Sequence, residues 1–448
     1  MQLLEKEELV NLIRSHAHRL LGSPADYEPL LNRVGEARFV FLGEATHGTH
    51  EFYHARAEIS LRLIREKGFE AIATEADWPD AARVNRFVQA AHDDEEAIDA
   101  LSDFRRFPTW MWRNADVLEL VGELRDYNEQ EADPSRKVGW FGLDLYSLFR
   151  SIEMVLQHLE HIDPKAAQRA RKRYACFEHF SKDAQRYGHE TGSGAVESCE
   201  ETAVQQLLEI RRQAAEWRKT GSPLSQEELF YAEQNARLVK NAEEYYRTML
   251  FGHVDSWNLR DQHMMETLEE VAAHLERQGR RGKVIVWAHN SHLGDARATE
   301  MADRGEWNLG QLARQKFGDD VVLVGFTTHH GTVTAASDWS MPAERKRVRP
   351  ALLGSIEELF HETELGGFYL DLNEQSSIAR ALQRQFLERA IGVVYLPSSE
   401  RYSHYFHTAI ARQFDAIFHY DSTRALEPLE RTATWLRGEV PETYPYAV

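Results

Sequence analysis

A chain of 448 residues is longer than one hydrophobic core ordinarily supports, so one large domain carrying an insertion, or two docked domains, is expected. A hydrophobic fraction of 42% with 10 Trp and 21 Phe excludes a disordered chain, and a formal net charge of -19 leaves no general attraction for nucleic-acid phosphates or an anionic membrane surface. Neither nucleic acid nor membrane is therefore an expected partner, and the acidic excess reads as solvated surface rather than as a sign of a cationic substrate.

The first residues, MQLLEKEELVNLIRSHAHRLL, place acids where a signal peptide needs a basic region followed by an apolar one. No stretch approaches the ~20 apolar residues of a membrane span. The two cysteines, Cys176 and Cys199, fall in helical surroundings; they form no disulfide framework and no Cys-rich metal site, and free thiols are expected. These features predict a cytoplasmic protein.

Short apolar runs that stop abruptly in polar residues recur along the chain. Arg38 to Leu42 runs into GEATHGTHE, and Glu70 to Thr74 into EADW. Val138 to Gly142 runs into LDLY, Lys283 to Ala288 into HNSHLG, VVLVGF into TTHH, FYLDL into NEQ, and GVVYL into PSSE. Runs this short, apolar on both faces and separated by helical stretches, predict an α/β fold: a mostly parallel central sheet flanked by helices. Ligands of such sheets sit at the carboxyl ends of the strands, so the polar closing residues are the candidates for a site.

Helices are predicted over Glu51 to Lys67, stopped by Gly68, and over Pro79 to Ala91, with proline in the first turn. From about 146 to 280 the sequence becomes Glu/Arg/Leu-rich with helical periodicity and one Gly-rich break, GHETGSG. The expected organisation is thus an α/β domain formed by 1–145 and 281–448, interrupted by a long helical insertion over 146–280. Capping the active edge of the sheet and mediating oligomerisation are both open roles for it.

The loop Gly43 to Glu51 concentrates glycines, hydroxyls, acids and histidines at a strand-to-helix turn. Histidine titrates near neutrality, so His47 suits a general base, with Glu44 or Glu75 fixing its tautomer. Glu75 closes the second strand and reaches that loop if the first two strands are neighbours; Asp77, two residues before Pro79, reads as a helix cap. His289 and His292 follow the strand KVIVWA, and both face one pocket only if a helical turn follows, so one of them is expected in the site. Asn290 and Ser291 suit either oxyanion donation or capping of that turn. Arg56, on the first crossover helix, suits neutralising a carboxylate or holding a substrate carbonyl. Arg260-Asp261 is a common type of surface pair. Trp78, Trp110, Trp112 and Trp287 suit an apolar ligand or the core.

His50-Glu51-Phe52-Tyr53-His54 matches the H-E-x-x-H pattern of zinc peptidases, but it opens a helix instead of lying within one. There is no G-x-S-x-G elbow, Walker A sequence or strand-following G-x-G-x-x-G, which leaves a histidine-activated water as hydrolytic chemistry needing neither nucleophile nor cofactor.

FLGEATHGTHEFYHAR, FEAIATEADW, FRRFPTWMWRN and VIVWAHNSHLG together make the chain similar to the erythromycin esterase family. The resemblance is strong over roughly 35–145, fair over 255–330 and thin in FDAIFHYDST. It implies a metal-independent hydrolase that opens a macrolactone or related small-molecule ester with water. His47 matches the family's base, and Glu44, Arg56, Glu75, His289, His292 and Arg260 match its other site positions. Two alternatives stand beside it: a metal-dependent hydrolase using the same His/Glu cluster, and a non-catalytic binder of a polyketide or saccharide.

Overall fold

The apolar runs become strands in the computed structural model, which describes residues 3–91, 94–180, 182–220, 226–250 and 252–438. In chain order they are β1 (His18–Arg19), β2 (Phe39–Leu42), β3 (Ala71–Asp77), β4 (Gly139–Asp144), β5 (Val284–Trp287), β6 (Val321–Ala335), β7 (Glu344–Val348), β8 (Gly367–Asp371), β9 (Phe386–Arg389), β10 (Tyr405–Thr408) and β11 (Ala416–Thr423). Nine of them form one sheet in the order β1-β8-β11-β6-β2-β5-β3-β4, with β7 paired to the far end of β6. The strands from β11 to β4 are mutually parallel, whereas β8 and β1 close one edge antiparallel. β9 and β10 make a separate antiparallel pair.

Alternation along the central strands splits the core between the two faces of the sheet. Phe39, Phe41, Val284 and Val286 join one apolar cluster, and Val40, Leu42, Ile285 and Trp287 the other. Both sets are fully buried, which is why these strands read as continuous apolar runs. The helix His50–Lys67 ends where Gly68 adopts φ 67°, ψ 37° and its N–H returns to the Leu63 carbonyl, a left-handed cap that glycine adopts without strain. The helix Trp78–Val88 carries its proline in the first turn.

Between β4 and β5 the described residues form helices and no strand: Leu148–Ile162, Pro164–Tyr174, Ala184–Gly192, Glu200–Thr220, Gln226–Thr248 and His253–Arg277, with a short 3₁₀ segment at Ala175–Phe180. Their apolar residues, among them Leu148, Val155, Phe230 and Leu268, share one core with Phe41 and Phe141 of the sheet.

Three expectations are corrected. GVVYL is not a strand; the chain there spans the active edge, with the Ile391 N–H donating to the Ala45 carbonyl and the Ala336 N–H to Val393, so its apolar residues pack in a crossing segment. Cys176 and Cys199 are disulfide-bonded, with Cα atoms 6.1 Å apart; folding of the helical stretch apposes residues whose separation in sequence says nothing of proximity. β2 and β3 are not neighbours, because β5 lies between them. Among the described residues no helix is long and apolar enough to cross a membrane.

Candidate active site

Register places the site. Leu42 lies level with Trp287 and Val324, and Thr74 with Trp287 and Gly142, so the loops leaving β2, β5, β3 and β4 open side by side at one carboxyl edge. The β3–β4 register shifts between Thr74 and Asp77, a bulge that re-aims Glu75. Gly142 permits it, since a Cβ there would stand 2.5 Å from the Ala76 carbonyl oxygen. At this edge lies a cavity of about 340 Å³ lined by His47, Glu75, Asp77, Asp144, Tyr146 and Trp257, with Arg260, His289 and His292 beside them. FRRFPTWMWRN supplies a further wall through Phe104, Arg106, Phe107, Met111 and Trp112.

His47 Nδ1 lies 3.0 Å from Glu44 Oε1. A carboxylate only accepts, so the neutral ring carries its proton on Nδ1 and presents the Nε2 lone pair, 4.0 Å from Glu75 Oε1. Arg56 Nη2 donates to Glu44 Oε2 at 2.9 Å, and its guanidinium lies over the Tyr53 and Trp287 rings at 4.3 and 4.5 Å. Arg56 is fully buried behind Glu44 and does not line the cavity, so it orients the carboxylate instead of reaching a substrate oxygen.

A helical turn, Asn290–Leu293, does follow β5, and for that reason both histidines line the cavity, not one. The Ser291 N–H donates to His289 Nδ1 at 3.2 Å, which leaves the proton of neutral His289 on Nε2, a buried atom without a hydrogen-bond partner. His292 has the other arrangement: Nδ1 faces Asp261 at 2.9 Å, and Nε2 accepts from Arg260 Nη1 at 2.9 Å. Asn290 is withdrawn into the core, donating to the Phe326 carbonyl and to Glu388.

Arg260 ties these groups together. Its Nη2 donates to Glu75 at 2.6 Å and to Asp144 at 2.7 Å, while its Nε donates to Asp144 at 3.0 Å. The His289 backbone N–H completes the shell of Glu75 at 2.9 Å. Arg260, Tyr146 and Trp257, which stacks on His292 at 4.4 Å, bring the residues around the helical stretch into the site.

Burial opposes a charge on His47, but Glu75 and Glu44 outweigh it and hold its pKa above the usual 6.5. His289 moves the other way, to about 3, through burial and then repulsion from His47, against a weaker attraction from Glu75. Burial also opposes the Glu75 carboxylate, yet His292, His47 and Arg260 keep it well below the ordinary carboxylate range. Asp80 is pushed up to about 8 by burial and by Asp77.

Several sequence expectations change here. Asp77 makes no cap bond; it lines the cavity and accepts from Arg106 Nε at 2.8 Å. Trp78 packs in the core against Phe141 and Phe230, and Trp110 against Phe107, so neither lines the cavity, whereas Trp112, Trp257 and Trp339 do. Asp144, Arg106, Tyr146 and Trp257 escaped the sequence reading; the strand-end rule that selected Glu75 would also have found Asp144, at the end of β4. In the H-E-x-x-H segment, His50 faces Asp116 at 2.9 Å and Glu51 accepts from Arg424, so its polar groups are committed away from the cavity.

A sequence model of the family described as Erythromycin esterase matches residues 64–423. The chain is 23% identical over 383 residues to "Putative hydrolase YbfO" of Bacillus subtilis, covering 80% of each. It is 24% identical over 331 residues to erythromycin esterase type II of Escherichia coli, covering 69% of this chain and 73% of that one. A solved Bacillus cereus protein superposes with a TM-score of 0.76 at 21% identity, over 95% of this chain and 99% of that one. A mutant of the erythromycin esterase EreC in its open conformation gives a TM-score of 0.66 at 17% identity, over 91% and 97%. These structural matches establish the shared fold.

Proposed function

This chain belongs to the erythromycin esterase family, and from that premise we propose that it hydrolyses a carboxylic ester, a macrolactone or a related small molecule, with water activated by His47. Water binds beside His47 Nε2; as its oxygen adds to the ester carbonyl, Nε2 takes its proton, and Glu44 stabilises the imidazolium through Nδ1. The carbonyl electrons move onto oxygen, and the Nε2–H of neutral His289 donates to that oxyanion. Collapse breaks the bond to the alkoxy oxygen, which leaves with the proton from His47 as an alcohol. Glu75, held by Arg260, His292 and the His289 N–H, fixes the spacing of the two rings.

One observation carries this reading: His47, whose Nδ1–H is held by Glu44 so that Nε2 keeps a lone pair, and His289, whose Nδ1 accepts from Ser291 so that Nε2 keeps the proton, line the same cavity. The donor set favours it over a metal-dependent scheme, because the Arg260 guanidinium already sits among Glu75, Asp144 and His292, where a metal would need those lone pairs.

The test is a panel of macrolactones and simple esters incubated in ¹⁸O-water and read by mass spectrometry. One water is expected to add, with the label in the new carboxylate and turnover lost in His47→Asn. Absence of hydrolysis across the panel, or full turnover by His47→Asn, would overturn the reading.

A further inference from the structure

β6 runs past the other central strands, and its extension carries the TTHH segment beside the end of β11. His329, His330 and Asp421 each offer one ligand atom there, all within 4.8 Å of one another. The two Nδ1 atoms of His329 and His330 are 2.9 Å apart, a spacing at which only one of them can hold a proton between them. His361, the last residue of the helix Ile356–His361, stacks on His329 with ring centroids 3.8 Å apart and places Nδ1 2.7 Å from Asp421 Oδ1. His419, fully buried on β11, points an otherwise unpartnered Nε2 at Asp421 from 3.6 Å.

None of these residues lines the catalytic cavity, so the proposed hydrolysis accounts for none of them. A lone His–Asp pair is ordinary ion pairing, but imidazoles converging on one carboxylate from three chain segments are more than such a pair needs. Imidazole nitrogens with one carboxylate oxygen are the donor set of zinc and neighbouring first-row divalent ions, not of calcium or magnesium.

We propose that His329, His330 and Asp421 form a binding site for a first-row divalent metal ion of the zinc class. Bonds of about 2.0–2.2 Å require the donors to draw in by roughly an ångström. His330 and Asp421 are half-buried and His361 is 45% exposed at its side chain, which leaves room for that shift. The ion would bind neutral imidazole lone pairs and join the extension of β6 to that of β11, so its role is structural.

The test is zinc titration of the chelator-stripped full chain without a polyhistidine tag, against a competing chromophoric chelator. One equivalent is expected to bind, and Asp421→Asn or His330→Ala, each removing a direct ligand, should weaken binding by at least the roughly 10- to 100-fold that loss of an outer-shell partner costs. Circular dichroism checks that both variants fold, and the two substitutions give independent readings. The H-E-x-x-H variant His54→Ala should bind as the parent does. The proposal is overturned if no equivalent binds, if both cluster variants keep parental affinity, or if His54→Ala removes the binding. Because the readout is metal affinity, failure here leaves the hydrolytic reading untouched.

Discussion

His47 and His289 stand at the same cavity with ring centroids 4.9 Å apart and hold opposite tautomers. Glu44 takes the Nδ1–H of His47, leaving an acceptor at Nε2, whereas Ser291 donates to Nδ1 of His289, leaving the donor at Nε2. In the proposed hydrolysis one residue type thereby serves as base and as oxyanion donor, and the difference is set by the partner of the remote nitrogen.

Loss of the base is the most direct consequence. His47→Asn should lower kcat by about 10²- to 10⁴-fold in steady-state assays. His47 is 7% exposed and bonded to Glu44, so its replacement also affects stability; Asn retains a donor for Glu44, whereas Ala leaves that carboxylate short of a partner at a cost of about 1–3 kcal/mol in chemical denaturation. A kcat within a few-fold of the parent would remove His47 from the role.

The pH profile follows from the direction of the His47 shift. A base works when deprotonated, and the carboxylates hold this ring protonated to higher pH than usual, so kcat/KM should rise with pH through an inflection above 6.5. Glu75 raises that pKa through its charge, so Glu75→Gln should move the inflection down. His289, at about 3, contributes no inflection between pH 5 and 8. An unchanged midpoint in Glu75→Gln would contradict the electrostatic account.

Glu75→Gln should also depress kcat more than it raises KM, because it removes the charge between His47 and Arg260 while keeping the side chain's shape. Asp77 is not a neutral control, since it lines the cavity and accepts from Arg106. His50 is the better one: paired with Asp116 outside the cavity, His50→Gln should leave kcat/KM nearly parental. Inactivity of His50→Gln, with metal-restored turnover, would revive the zinc-peptidase pattern.

Behind the site, Glu44 is the carboxylate that neutralises fully buried Arg56. Glu44→Gln leaves that guanidinium uncompensated, so thermal or urea denaturation should show a loss of about 3–5 kcal/mol alongside the loss of activity. A variant as stable as the parent would mean that Arg56 finds another partner.

The tryptophans separate binding from packing. Trp339 lines the cavity and is 52% exposed, so Trp339→Ala should raise KM with little change in kcat or stability. Trp78 is 2% exposed among Phe141, Phe230 and Tyr231, so Trp78→Ala should cost about 3–5 kcal/mol of stability, measured in urea. A selective KM effect from Trp78→Ala would restore it to the ligand.

The sequence by itself determined most of the central parallel strands and the edge at which they end. Buried parallel strands must be apolar on both faces, and they must end where backbone and side chains turn polar, so runs such as Phe39–Leu42 and Val284–Trp287 and the closing residues Glu44, Glu75 and His289 were legible from local pattern alone. Gly68 and Pro79 marked helix ends for equally local reasons. Only the tertiary structure decided the sheet order that inserts β5 between β2 and β3, the bulge that aims Glu75, and the return of Arg260 from a helix more than a hundred residues beyond β4 to bind Asp144 and Glu75. The same holds for the Cys176–Cys199 bond, for the withdrawal of Trp78 into the core, and for the crossing path of GVVYL. Each depends on which distant segments pack together, and a side chain's chemistry carries no record of the neighbour that will fix its tautomer, its charge or its exposure.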